Sequence, residues 1–130
     1  MDFETRAIHD GQEPDPATGS VIPPIYQTST FVQDAVGVNK GYDYSRSGNP
    51  TRTALETCLA SLEGADHGLA YSSGLGATTT IMHLVEPGDH VVCVNDVYGG
   101  VYRMFSQIYE PKGYRFTYLS SEEFEAGLEP

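Results

Sequence analysis

HVVCVNDVYGGVYRMFSQIYEPKGYRFTYL, residues 90–119, decides the fold. Val91-Val92-Cys93-Val94 is a short β-branched run of the kind buried on both faces of a parallel sheet. Gly100 to Tyr109 follows with helical periodicity, placing Val101, Phe105 and Ile108 on one face. Tyr114 to Leu119 then returns to strand composition. A strand, a helix and a strand in that order form a crossover unit, which places the two strands parallel and right-handed.

The same alternation extends outward. Asn49 is a favourable cap and Pro50 a favourable first residue for a helix. Leu55, Cys58, Leu59 and Leu62 recur at its spacing, and Gly64 ends it. His67 to Ser72 reads as a short buried strand, and Leu75 to Val85 as a helix stopped by Pro87-Gly88. Beyond Leu119, Ser120 or Ser121 caps a further helix through Gly127. The expected class is α/β with a mostly parallel sheet. Three strands leave two open edges, and the alternation is unfinished at Pro130. The expectation is therefore the N-terminal part of a larger protein, with residues 49–130 as the first part of an α/β domain.

Residues 1–48 differ in character. They are rich in Gly, Pro, Asp, Ser and Thr, with one helical candidate, Glu4 to Asp10, and one extended run, Pro24 to Phe31. Glu13 to Ser20 is loop chemistry. So much irregular chain cannot easily satisfy its own backbone, and an arm of this kind usually packs on a partner.

Composition excludes several classes. A net charge of −11 argues against a nucleic-acid partner, which demands clustered Lys and Arg. No apolar run approaches the roughly 20 residues that a bilayer requires. Met1 to Glu4 lacks the basic-then-apolar layout of a secretion signal, so a cytoplasmic location is expected. Cys58 and Cys93 lie far apart in apolar runs and read as reduced core thiols. The four histidines are scattered without metal-ligand spacing, and no metal is expected.

Three segments carry candidate chemistry. Tyr71-Ser72-Ser73-Gly74-Leu75-Gly76-Ala77 joins an expected strand to a helix, where small residues and free N–H groups suit a phosphate, although many such junctions are plain turns. Asp96-Val97-Tyr98-Gly99-Gly100 sits at the carboxyl end of a strand, where open α/β sheets bind ligands. There Tyr98 can lie flat against an aromatic ring or be an ordinary strand-end tyrosine. Arg103, one helical turn on, is either a solvated charge or a fork for a carboxylate. In Tyr42-Asp43-Tyr44-Ser45-Arg46-Ser47-Gly48-Asn49-Pro50-Thr51-Arg52, Tyr44 and Arg46 share one side of an extended chain, as a phosphate clamp or as a surface loop.

In order and spacing these segments, with Thr5-Arg6-Ala7-Ile8-His9 and Val21-Ile22-Pro23-Pro24-Ile25-Tyr26, resemble the N-terminal third of the pyridoxal-phosphate-dependent Cys/Met-metabolism enzymes, the family of cystathionine γ-lyase and cystathionine γ-synthase. The resemblance implies the large domain of the aspartate aminotransferase type, preceded by an extended arm, and pyridoxal 5'-phosphate as cofactor. It implies that Ser73, Gly74 and Leu75 meet the cofactor phosphate. Tyr98 would stack on the pyridine ring and act catalytically. Tyr44 and Arg46 would reach a neighbouring subunit's cofactor phosphate, Tyr44 also lying near substrate, and Arg103 would bind substrate. A homotetramer built from two active-site dimers, acting on a small amino acid, is implied in turn.

The family's cofactor-bearing lysine lies beyond the stretch matched here. Lys40 and Lys112, the only lysines, lack its Ser-x-Thr-Lys context and read as solvated charges. The 130 residues alone are therefore expected to be inactive. Gly100 stands where methionine γ-lyases carry cysteine. Residues Ser47 to Arg52 look like γ-lyases, while Tyr98 to Arg103 are also close to γ-synthases. The expectation is γ-elimination on cystathionine, with γ-replacement on an activated homoserine as the alternative. A non-catalytic phosphate-binding or dimerisation piece is the reading from another class, and neither a dinucleotide fingerprint nor a Walker motif supports it.

Overall fold

The structure, a computed structural model, describes residues 1–127. The contacts divide the chain into two compact units, Met1–Ala70 and a second beginning at Tyr71.

In the first unit, helix α1 (Phe3–His9) docks on helix α2 (Pro50–Glu63). Ser61 joins them. Its hydroxyl accepts from Arg6 Nε at 3.0 Å and donates to the Asp10 carboxylate, which lies 3.6 Å from Arg6. This docking is why the unit runs through α2 to Ala70, past the composition break expected at residue 48. Asn49 caps α2 by accepting from Thr51 N at 2.9 Å, Pro50 occupies the first turn, and Gly64 ends the helix at φ 66°.

One expected strand does not form, and the expected extended run pairs hardly at all. Pro24–Phe31 makes a single antiparallel bridge, Thr30 to Tyr44. Two prolines at 23 and 24 lack donors, and the Tyr26 N–H goes to the Thr51 side chain at 2.9 Å instead of to a neighbouring strand. In His67–Ser72, the Ala70 N–H donates to Glu56 Oε1 of α2 at 2.9 Å, so that donor meets a helix side chain instead of a neighbouring strand.

In the second unit, helix α3 (Gly74–Ile81) runs into a 3-10 turn, Met82–Leu84, before the Pro87-Gly88 stop. Strand β1 (His90–Val94), helix α4 (Gly99–Met104) and strand β2 (Arg115–Leu119) form the expected crossover, with β1 and β2 parallel. Helix α5 (Ser121–Glu125) follows, with Ser120 and Glu123 forming a reciprocal capping box. Register pairs Val91 with Phe116 and Cys93 with Tyr118. These four residues share one sheet face and pack on Met82, Met104 and Phe105, the buried centre of the unit. Phe105 stacks on Phe116 with ring centroids 4.4 Å apart. Among the described residues these are the only two strands, so the fold is the α/β start that the alternation predicts, with one expected strand fewer. The helix expected over Gly100–Tyr109 changes pitch after Met104, with Phe105–Tyr109 in a π-helical turn and Glu110–Lys112 in a 3-10 turn. Phe105 packs inward with Val101, as the helical pattern expects, whereas Ile108, beyond the change of pitch, is half exposed rather than facing the core. Both cysteines are free and half-buried. Among the described residues no helix is long and apolar enough to cross a membrane.

Tyr118 gives the core a pH signature. Its hydroxyl is buried without a partner among the described residues, and burial, reinforced by Cys93 and Glu110, pushes the phenol up from 10.0 to about 12. The folded state thus holds this proton more tightly than the unfolded chain does. The stability that depends on it is complete below pH ~10 and drains away as pH climbs to ~12. Urea midpoints should fall across that window in the wild type and fall less in Tyr118→Phe. The phenylalanine variant should also lose no stability at neutral pH, since the hydroxyl it removes is unsatisfied.

Candidate functional site

Tyr44 and Arg46 are brought together in the first unit. Arg46 Nη2 donates to Tyr44 Oη at 2.8 Å, and the guanidinium carbon lies 5.1 Å from the tyrosine ring centroid. Extended backbone is not what joins them, contrary to the expectation from their i, i+2 spacing. Tyr44 ends the bridge to Thr30, and the chain turns at once: Ser47 N and Gly48 N both donate to Tyr44 O, at 3.0 and 2.9 Å. Arg46 is exposed, with Tyr44 half-buried behind it. The pair borders a 420 Å³ groove along Tyr26 to Ser29.

The start of α2 holds this turn. Asn49 Nδ2 donates to Tyr26 O and Ser45 Oγ, both at 3.0 Å, and Ser45 Oγ donates to Thr28 O. Arg52 donates to three successive carbonyls, to Ser45 O at 2.9 Å, Ser47 O at 3.0 Å and Arg46 O at 3.4 Å. Sequence reading quoted Arg52 in the motif but gave it no role. A signal was present: a cation in the first turn of a helix opposes the helix dipole, and its presence asks for acceptors outside the helix.

In the second unit, Ser73 caps α3, its Oγ accepting from Gly76 N at 3.0 Å. That leaves the N–H groups of Gly74 and Leu75, among the unpaired donors of the first turn, pointing out of the helix end. Tyr98 immediately precedes α4, four residues past β1, and is 72% exposed. Its ring folds over Gly100: a Cβ there would stand 2.5 Å from Tyr98 Cε1. Glycine at 100 thus gives the ring its resting place, a reason for Gly-Gly after Tyr98 that turn chemistry alone does not supply. Exposed Arg103 and Leu75 line one 460 Å³ groove with Thr79, Gly100, Met104 and Gln107, so one expected phosphate donor and the expected substrate arginine share a cleft. Lys112 is exposed, its Nζ 5.8 Å from the Tyr109 ring centroid, and Lys40 is exposed too, as expected of solvated charges.

These donors fit an aromatic phosphate. Unpaired helix-end N–H groups and a guanidinium with a phenol suit a dianion, and an open tyrosine ring suits a flat heterocycle. No group of His, Cys, Asp or Glu among the described residues is placed to hold a metal ion.

Comparison with known proteins agrees with that chemistry. The family described as Cys/Met metabolism PLP-dependent enzyme matches residues 4–128. A probable cystathionine gamma-synthase of Herpetosiphon aurantiacus is 56% identical over 95% of this chain and 39% of its own length. A cystathionine beta-lyase of Coxiella burnetii is 57% identical over 82% of this chain and 27% of its own. The cystathionine gamma-lyase of Bos taurus is 46% identical over 98% of this chain and 33% of its own. The crystal structure of metB from Corynebacterium glutamicum superposes with TM-score 0.85 at 43% identity, covering 99% of this chain and 35% of that one. The chain thus spans about a third of the length of the curated relatives it matches. With a family match across nearly its whole length and a shared fold at such identity, the chain belongs to the pyridoxal-phosphate-dependent enzymes of Cys/Met metabolism.

Proposed function

We propose that the whole protein carrying this chain cleaves cystathionine by γ-elimination, giving cysteine, 2-oxobutanoate and ammonia. Pyridoxal phosphate, when bound, supplies the electron sink that makes the substrate's α- and β-protons removable. This chain's part is to bind and orient. Gly74 and Leu75 offer backbone N–H groups to the phosphate, with Ser73 shaping the turn. Tyr98 lies against the ring face and moves a proton to or from the substrate amine at its phenol oxygen. Arg103 pairs with the substrate, and Tyr44 lies near it. Tyr44 and Arg46 bind the phosphate of a neighbouring subunit, with residues 1–48 as the arm that reaches across and 49–130 as the start of the cofactor domain. Two such dimers make the homotetramer.

The observation that carries this reading is the Tyr44–Arg46 pair, hydrogen-bonded at 2.8 Å with its guanidinium exposed rather than folded into the chain's own core. The Ser47–Arg52 segment favours the γ-lyase, and glycine at 100 argues against a methionine γ-lyase. A γ-synthase is the second reading, favoured by the relative of that name at 56% identity. Product analysis on the full-length enzyme separates them. Cystathionine alone should yield cysteine and 2-oxobutanoate. Homocysteine and pyruvate would instead mean cleavage on the β side, and cystathionine formed from an activated homoserine plus cysteine, without cleavage, would mean the synthase.

A further inference from the structure

Two arginines stand six residues apart in one motif, and the structure gives them opposite environments. Arg46 is exposed and has the Tyr44 hydroxyl as its side-chain partner among the described residues. Arg52 is half-buried and spends its fork on backbone, bonding the carbonyls of Ser45, Arg46 and Ser47. Its Nε lies 3.5 Å from Glu56 Oε1, the oxygen that also accepts from Ala70 N. Glu56, one helical turn further along α2, thus fixes the plane of the Arg52 fork, and the fork fixes the turn.

We propose that Arg52 is a positioning residue for cofactor binding: it holds the Ser45–Ser47 turn in the shape that presents Arg46 and Tyr44 to a phosphate. Three convergent carbonyls make a patch of partial negative charge, and the Arg52 cation offsets their mutual repulsion where the turn's other hydrogen bonds do not reach. A planar guanidinium meets several carbonyls at once, which an ammonium point charge cannot do. All three guanidinium nitrogens of Arg52 are engaged by Glu56 and the turn, whereas Arg46 is exposed and meets only the Tyr44 hydroxyl among the described residues. The inference rests on the reading of Arg46 as a phosphate ligand.

The test uses the full-length enzyme, stripped and reconstituted with pyridoxal phosphate or with pyridoxal, which lacks the phosphate. Dissociation constants are measured for wild type, Arg46→Ala, Arg52→Gln, Arg52→Lys and the Arg46→Ala/Arg52→Gln double variant, below each one's unfolding temperature. Arg52→Gln should weaken pyridoxal phosphate about tenfold, of the order of one charge-assisted hydrogen bond, and leave pyridoxal within about twofold. Arg52→Lys, which keeps the charge and the helix propensity, should behave like Arg52→Gln. The double variant should be no weaker than Arg46→Ala alone, because both act through one contact. Wild-type affinity in Arg52→Gln beside a weakened Arg46→Ala overturns the inference and leaves the clamp standing. So does full retention in Arg52→Lys, an equal loss for pyridoxal, or a double variant whose losses multiply. An Arg46→Ala enzyme with undiminished preference for the phosphorylated cofactor overturns the clamp itself.

Discussion

Gly11→Ala is expected to destabilise the protein by about 3 kcal/mol. Gly11 turns the chain out of α1 at φ 77°, a conformation that costs an L-residue ~1–2 kcal/mol. The added methyl would also stand 2.5 Å from Ala54 O, 3.0 Å from Thr57 Cβ and 3.1 Å from Cys58 N. Two of those atoms are α2 backbone, which cannot swing aside as a side-chain tip can, and overpacking of this kind costs ~1–3 kcal/mol. The same methyl would pry α1 from α2 and strain the Arg6–Ser61–Asp10 junction. Gly19→Ala is the control, since Gly19 has a similar φ of 73° but nothing within 4 Å of its Cβ position. Denaturant titration should show Gly19→Ala paying only the conformational part. Equal losses at both glycines would show that the approach to α2 contributes nothing.

Where local chemistry decides the structure, the sequence was readable. Asn49-Pro50 opens α2 and Gly64 closes it because cap, first-turn proline and left-handed exit are properties of a few adjacent residues. Val91–Val94 and the strand ending at Leu119 pair in parallel because a ten-residue helical pattern between them leaves the chain no shorter way back. Strands that depend on a neighbour were not readable in the same way. His67–Ser72 has strand composition, but the acceptor that meets its backbone is a glutamate on α2, a long-range choice that composition does not encode. The π-helical turn at Phe105–Tyr109 is also invisible to a 3.6-residue pattern, yet it falls where Ile108 leaves the face that Val101 and Phe105 keep.

The site shows the same division. Tyr44 and Arg46 were paired from strand alternation, and they are paired, but through a turn that depends on Arg52 and Asn49 reaching back from the next helix. The pairing therefore followed from a wrong local geometry. Arg52 went unassigned because its partners are main-chain carbonyls, which no residue-type pattern reports. The role of Gly100 needed the Tyr98 ring position, which only three-dimensional packing gives.

Arg46→Ala in the full-length enzyme should weaken pyridoxal phosphate retention about a hundredfold. A guanidinium on a phosphate makes up to two charge-assisted hydrogen bonds of ~1.5 kcal/mol or more each, and losing both removes about 3 kcal/mol. Tyr44 cannot compensate, since the hydroxyl that now accepts from Arg46 at 2.8 Å carries no charge of its own. The location of the defect is as informative as its size. If the arm serves a neighbour's site, mixing Arg46→Ala subunits with Tyr98→Ala subunits restores sites that neither parent has. Each mixed dimer then holds one site with both residues intact and one with neither. Random assembly of equal amounts makes about half the dimers mixed, so about a quarter of all sites should regain wild-type cofactor affinity and turnover. If Arg46 serves its own subunit, every site in the mixture lacks one residue or the other and no activity returns. Co-expression with two different tags, purification through both and single-turnover counting of active sites distinguishes the outcomes. Double-tag purification removes only the tetramers built from a single parent, so the recovered fraction should rise slightly above a quarter, to about two sevenths of the sites.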